Sequence, residues 1–69
     1  MAVDVRIIQN FQRNEITEHI VYQRLAQRMK GENAAVLRRI SEDERRHYEE
    51  WKKFSQTEVS PNRLAVWFY

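Results

Sequence analysis

The stretch Val36–Phe54, VLRRISEDERRHYEEWKKF, decides the fold. Leu37, Ile40, Trp51 and Phe54 recur at the two alternating positions of a heptad, and Glu44 and His47 hold those positions in the middle of the run. An apolar line at that spacing is the seam by which one helix packs on another. The basic pairs Arg38-Arg39, Arg45-Arg46 and Lys52-Lys53 repeat every seven residues, with Glu42-Asp43 and Glu49-Glu50 between them. On a helix this sets Arg38 near Glu42, Arg39 near Asp43, Arg45 near Glu49 and Glu49 near Lys53. Each exposed pair is worth only about 0.2–0.5 kcal/mol. Together they predict a long solvated helix with alternating charge. The net charge is +2. A nucleic-acid face concentrates one sign, so the alternation argues against nucleic acid as a partner.

A matching segment precedes this one. Ile8, Phe11, Glu15, Glu18, Tyr22, Leu25 and Met29 form a second heptad line. It predicts a helix from about Val3 to Lys30, with Asp4 in its opening turn, where a negative charge suits the helix dipole. Lys30-Gly31 reads as a stop, with Gly31 free to turn left-handed. The second helix is expected from Glu32 or Asn33, with Asn33 as its cap, to Phe54 or Ser55. So short a connection makes the helices antiparallel neighbours. Thr57 to Asn62 reads as a turn, and Ser60-Pro61 as the cap and first residue of a third helix. The expectation is therefore an all-α chain: residues 1–56 a helical hairpin, residues 57–69 a turn and the start of a third helix.

With 69 residues there is room for one domain and little core. There is no cysteine, so disulfides and thiolate metal sites are excluded. The longest apolar run, Leu64–Tyr69, is six residues, against about twenty for a membrane span. The residues after Met1 lack a basic start followed by an apolar core, and a cytoplasmic location is expected.

Both seams are interrupted by ionisable groups: Glu15 and Glu18, with His19 beside them, on the first helix, and Glu44 and His47 on the second. A carboxylate in a dry interior costs several kcal/mol unless it is paired or binds a cation. Neither seam supplies a Lys or Arg to match. Glu15 lies sixteen residues before Gly31, and Glu44 and His47 lie thirteen and sixteen after it. At about 1.5 Å per residue these groups reach one level of an antiparallel hairpin. Glu44 and His47, three apart, share one helical face, and carboxylates with one imidazole per metal suit Fe or Mn better than Cu. Glu18 and His19 are further candidates, as ligands, as supports of ligands or as solvated edge positions. Two hairpins about a two-fold axis would provide a Glu from each of two helices and a Glu-x-x-His from each of the other two, the set used by di-iron and di-manganese bundles. A zinc hydrolase is disfavoured, because no His-Glu-x-x-His and no Ser/His/Asp set is present.

The segments QRNEITEHIVYQRLAQR (Gln12–Arg28) and VLRRISEDERRHYEEWKKF resemble the first two helices of a rubrerythrin-type ferritin-like domain. The resemblance rests on Glu15, Tyr22 seven residues later, and Glu44-x-x-His47, and it covers about two thirds of the chain. The tail SPNRLAVWFY (Ser60–Tyr69) resembles the rubrerythrin-like domains that precede iron-transporter membrane domains. The resemblance implies two iron ions, or manganese, at a carboxylate centre with ferroxidase or peroxide- or dioxygen-reducing activity. It makes Glu44 the bridging ligand, Glu15 and His47 terminal ligands, and Tyr22 a phenol beside the reacting centre. A redox donor or an iron-transport partner is implied as well. The family holds four helices in one chain, as against half that number here, so the site is expected between two chains of a homodimer or higher oligomer, as in encapsulated ferritins. Rubrerythrins also carry a cysteine-ligated iron domain, which this cysteine-free chain lacks, so the resemblance does not extend to a self-contained peroxidase cycle. The competing expectation is a non-catalytic dimerisation module or a piece of a larger iron-handling protein, its seam acids paired with arginines.

Overall fold

The computed structural model describes residues 4–69. The chain is all-helical: α1 spans Val5–Arg28, α2 Gly31–Ser55 and α3 Arg63–Trp67. The two long helices pack antiparallel along their length, and α3 lies against α1. No described helix is long and apolar enough to cross a membrane.

Each helix end has a local cause. Asp4 is extended and its carboxylate accepts the Arg6 backbone N–H at 2.9 Å, so it caps α1 from outside the first turn. The expected start at Val3 lies outside the described residues. At the other end Met29 and Lys30 are extended, and Gly31 takes φ +66°, the left-handed conformation expected of it. The reversal at Gly31 is abrupt enough that α2 begins there, two residues before the expected cap. Asn33 therefore lies inside the helix, and Lys30 at the N-cap gives no side-chain bond. Gln56 closes α2 with φ 54°, its N–H on the Lys52 carbonyl at 2.7 Å. The cap of α3 is Asn62, whose side-chain oxygen accepts from the Leu64 and Ala65 N–H groups at 3.1 and 3.2 Å. Ser60-Pro61 falls two residues early because the Asn62 N–H is anchored on the Thr17 hydroxyl at 2.8 Å, which sets where the helix can start.

The hairpin's own seam is a heptad line of smaller and more polar residues than expected. Gln12, His19 and Ala26 on α1, seven apart, are buried, as are Ala34, Ser41 and Tyr48, seven apart on α2. Small residues at Ala26, Ala34 and Ser41 let the backbones approach closely. Half of each expected seam joins this line: Ile8 is buried, and Glu15, Tyr22, Leu37, Glu44 and Trp51 are half-buried. The other half lies one step around each helix. Phe11, Glu18, His47 and Phe54 are exposed, with Leu25 and Ile40 half-buried beside them, and Met29 is exposed just beyond the end of α1.

The molecule is a plate, 46 × 22 × 14 Å in its Cα extents. Helices pack about 8–10 Å apart, so a thickness of 14 Å is essentially one layer. The tail covers part of one flank through side chains of α1 that hold its backbone. Gln12 Nε2 donates to the Thr57 carbonyl at 2.7 Å, Arg24 to Val66 at 2.7 Å and Arg28 to Tyr69 at 2.6 Å. The opposite flank is open. It carries Phe11 stacked on Trp51 (ring centroids 5.1 Å apart) and Trp51 against Phe54 at 6.2 Å.

The charge ladder of α2 forms with a different step. Arg46 reaches Asp43 at 2.6 Å and Lys53 reaches Glu50 at 3.4 Å, both three residues apart, while Lys52 turns to Glu58 at 3.0 Å. None of the expected four-residue pairs closes among the described residues. These are exposed pairs of long side chains whose alternatives differ by a few tenths of a kcal/mol.

A candidate carboxylate–histidine centre

The open flank positions three of the expected ligands together. Glu15 comes from the middle of α1, and Glu44 and His47 from one face of α2 at the same level. One ligand atom from each lies within 4.8 Å of the others. His47 Nδ1 is 3.4 Å from Glu15 Oε2 and 3.7 Å from Glu44 Oε1. The two carboxylate side chains are 22% and 16% exposed and His47 is 51% exposed. The acids thus sit in the wall of the hairpin and the imidazole at its lip.

The electrostatics are those of crowded acids. Hydrogen bonding with the Glu44 carboxyl, then burial, then the negative charge of Glu44 push Glu18 up to about 7, against a smaller opposite pull from His47. Glu44 is pushed up as well, first by burial and then by hydrogen bonding with Glu15. Glu18 and Glu44 therefore both hold protons more tightly than free acids do. Glu15 Oε2 is buried and has no hydrogen-bond partner. A buried carboxylate oxygen without a donor is a site that a cation would satisfy.

The chemistry of the set fits a hard or borderline divalent cation. Ligand atoms at about 2.1 Å from one ion lie at most about 4.2 Å apart, and the two histidine–carboxylate distances fall inside that limit. Two carboxylates and one imidazole are too few to complete a coordination sphere, so the set as it stands is partial.

The remaining expected residues divide. Glu18 stands beside Glu44 but outside the close group. His19 is turned away from it. At 7% exposure it belongs to the hairpin seam, its Nδ1 2.8 Å from the Ser41 carbonyl oxygen. That burial does not fit a solvated edge position, and His19 stands outside the converging group, because a side chain four residues after Glu15 rotates into the shared seam of α1 and α2. Tyr22 is half-buried two turns beyond Glu15, and its hydroxyl makes no hydrogen bond among the described residues. Nothing in the structure joins that phenol to the carboxylates. Sequence reasoning passed over Gln12, Ser41 and Tyr48. Their signal was the seven-residue repeat of Ala34, Ser41 and Tyr48, masked by the more apolar line next to it.

The chain matches no protein-family model, no curated protein and no solved structure.

Proposed function

We propose that this chain is one half of a ferritin-like, two-chain four-helix bundle, and that Glu15, Glu44 and His47 of each copy hold a pair of iron ions, with manganese as the alternative. The observation that carries this reading is the buried Glu15 Oε2, left without a donor beside Glu44 and His47. Paired ions held by such a set supply electron transfer, as ferroxidase or as peroxide or dioxygen reductase. The chain's own part is to fix the carboxylates on rigid helices, to surround them with the Phe11–Trp51–Phe54 aromatic wall, and to keep a proton on Glu18 within reach of Glu44. The second copy supplies the ligands that three residues cannot, and covers the open apolar flank. A redox donor or an iron-transport partner completes the proposal.

Anaerobic addition of Fe(II) tests it. About two irons per pair of chains, with a rise in near-ultraviolet absorbance on admitting air, is the expected result. A folded dimer that takes up no iron removes the reading. The double substitution Glu44→Leu with His47→Met separates a cation site from an ion-pair site. On the cation reading it abolishes metal uptake and raises the apo melting temperature, because two polar groups leave a half-buried seam.

A second reading rests on the same distances. A protonated His47 reaches both Glu15 and Glu44, and with protons held on Glu18 and Glu44, both pushed up, it balances the one carboxylate left, without metal. The chain would then be a dimerisation module, or a piece of a larger iron-handling protein, with no chemistry of its own. The Leu/Met variant would lose assembly on this reading, and the wild type would bind no iron.

A further inference from the structure

The side of the hairpin away from the carboxylate centre holds a cleft of about 510 Å³ between α1, α2 and the connection that leads to α3. Small-molecule sites run about 300–1,000 Å³. Ile16, Ile20, Tyr48, Val59 and Pro61 line it with apolar surface, and His19 is part of the same wall.

Several polar groups of this cleft are committed. The Tyr48 hydroxyl accepts the Val59 N–H at 3.0 Å, which ties the connection across the cleft. Glu58 at the mouth is paired with Lys52 at 3.0 Å, and Arg45 stands one helical turn from Glu49, so the mouth is balanced in charge. His19, buried in the wall, keeps one ring nitrogen free. Its Nδ1 faces the Ser41 carbonyl oxygen at 2.8 Å. A carbonyl only accepts, so Nδ1 carries the proton. The Ser41 hydroxyl gives its own proton to the His19 carbonyl at 2.7 Å. In the neutral ring Nε2 is then an acceptor of fixed direction. No described residue donates to it.

We infer that this cleft binds a small neutral aromatic molecule bearing a hydroxyl, which donates to His19 Nε2 while its ring lies against Ile16, Ile20, Tyr48 and Val59. The balanced mouth selects against net charge. The buried acceptor on His19 selects for a donor, and the apolar wall of Ile16, Ile20, Tyr48 and Pro61 favours a ring. This site is independent of the carboxylate centre, since Ile16 and Ile20 face the opposite flank of α1 from Glu18.

Phenol and its methyl ether anisole, nearly the same shape without the donor, are the probes. With uniformly ¹⁵N-labelled chain, phenol should saturate, moving the His19 Nε2 resonance and the amides of Ile16, Ile20 and Val59. Anisole should bind at least about fivefold more weakly, the ratio a single net hydrogen bond supports. Equal affinities, shifts centred on Phe11 and Trp51, or no saturation by phenol would each overturn the inference. The substitution Ile16→Trp, which fills the cleft, should remove phenol's shifts while leaving the helical circular dichroism intact, and binding that survives it also overturns the inference. If that variant fails to fold, the comparison of the two probes on the unaltered chain still decides.

Discussion

Single residues set the terms of this molecule. Gly31, with Gln56, is one of two described positions with a left-handed backbone, and the space around it is empty: a Cβ there would meet nothing within 4 Å, yet φ is +66°. The cost of Gly31→Ala is therefore conformational alone, about 1–2 kcal/mol, read as a lower urea midpoint with an unchanged slope. Glu18 sets a pH dependence of defined sign. Its carboxyl, raised from 4.5 to about 7, keeps its proton in the folded chain at pH values where the unfolded chain has released it. Without metal, stability therefore falls as pH rises from about 4.5 to about 7. Glu18→Gln should flatten that slope and leave the variant more stable than wild type above pH 7. Solvent screening at this exposed position keeps the gain below about 1 kcal/mol. A wild-type curve that rises over this window, relative to the variant, would contradict the arrangement of Glu18 beside Glu44.

At the scale of elements, the hairpin and the tail are held by different physics. α1 and α2 share a close seam along their whole length, whereas α3 is five residues with nothing buried. Helices so short do not persist alone. What holds it are charged and polar groups of α1 bonded to its backbone, chiefly Arg24 on Val66 and Arg28 on Tyr69. The double substitution Arg24→Ala with Arg28→Ala should release the tail and spare the hairpin. Amide exchange at Leu64–Phe68 should accelerate to near the unprotected rate while that of Ile16–Tyr22 changes little. Loss of protection in both regions together would mean that the tail is part of the cooperative core.

For the whole molecule, the plate geometry governs. Among the described residues only Ile8, Ala26, Ala34 and Tyr48 form the fully buried apolar core, little for a chain of 69 residues. The aromatic wall of Phe11, Trp51 and Phe54 is left on the open flank. On the two-chain reading this wall is where the second copy rests, and Trp51→Glu should halve the mass in solution and abolish iron uptake together. Retention of the dimer would place the contact elsewhere, and a wild type that sediments as a monomer would end the two-chain proposal.

Heptad spacing, the Lys30-Gly31 stop and the count back and forward from it determined two antiparallel helices and brought Glu15, Glu44 and His47 to one level, because rise per residue and residues per turn are constants of the helix. Which of two adjacent heptad lines closes the hairpin was a tertiary decision. The line with small residues at Ala26, Ala34 and Ser41 allows closer backbone approach than the one with Phe11, Leu25 and Phe54, and periodicity cannot rank two stripes one step apart. That choice sent His19 into the seam, left His47 at the lip, and set Glu18 beside Glu44. Rotation about a helix axis is decided only when a neighbour arrives to pack against it.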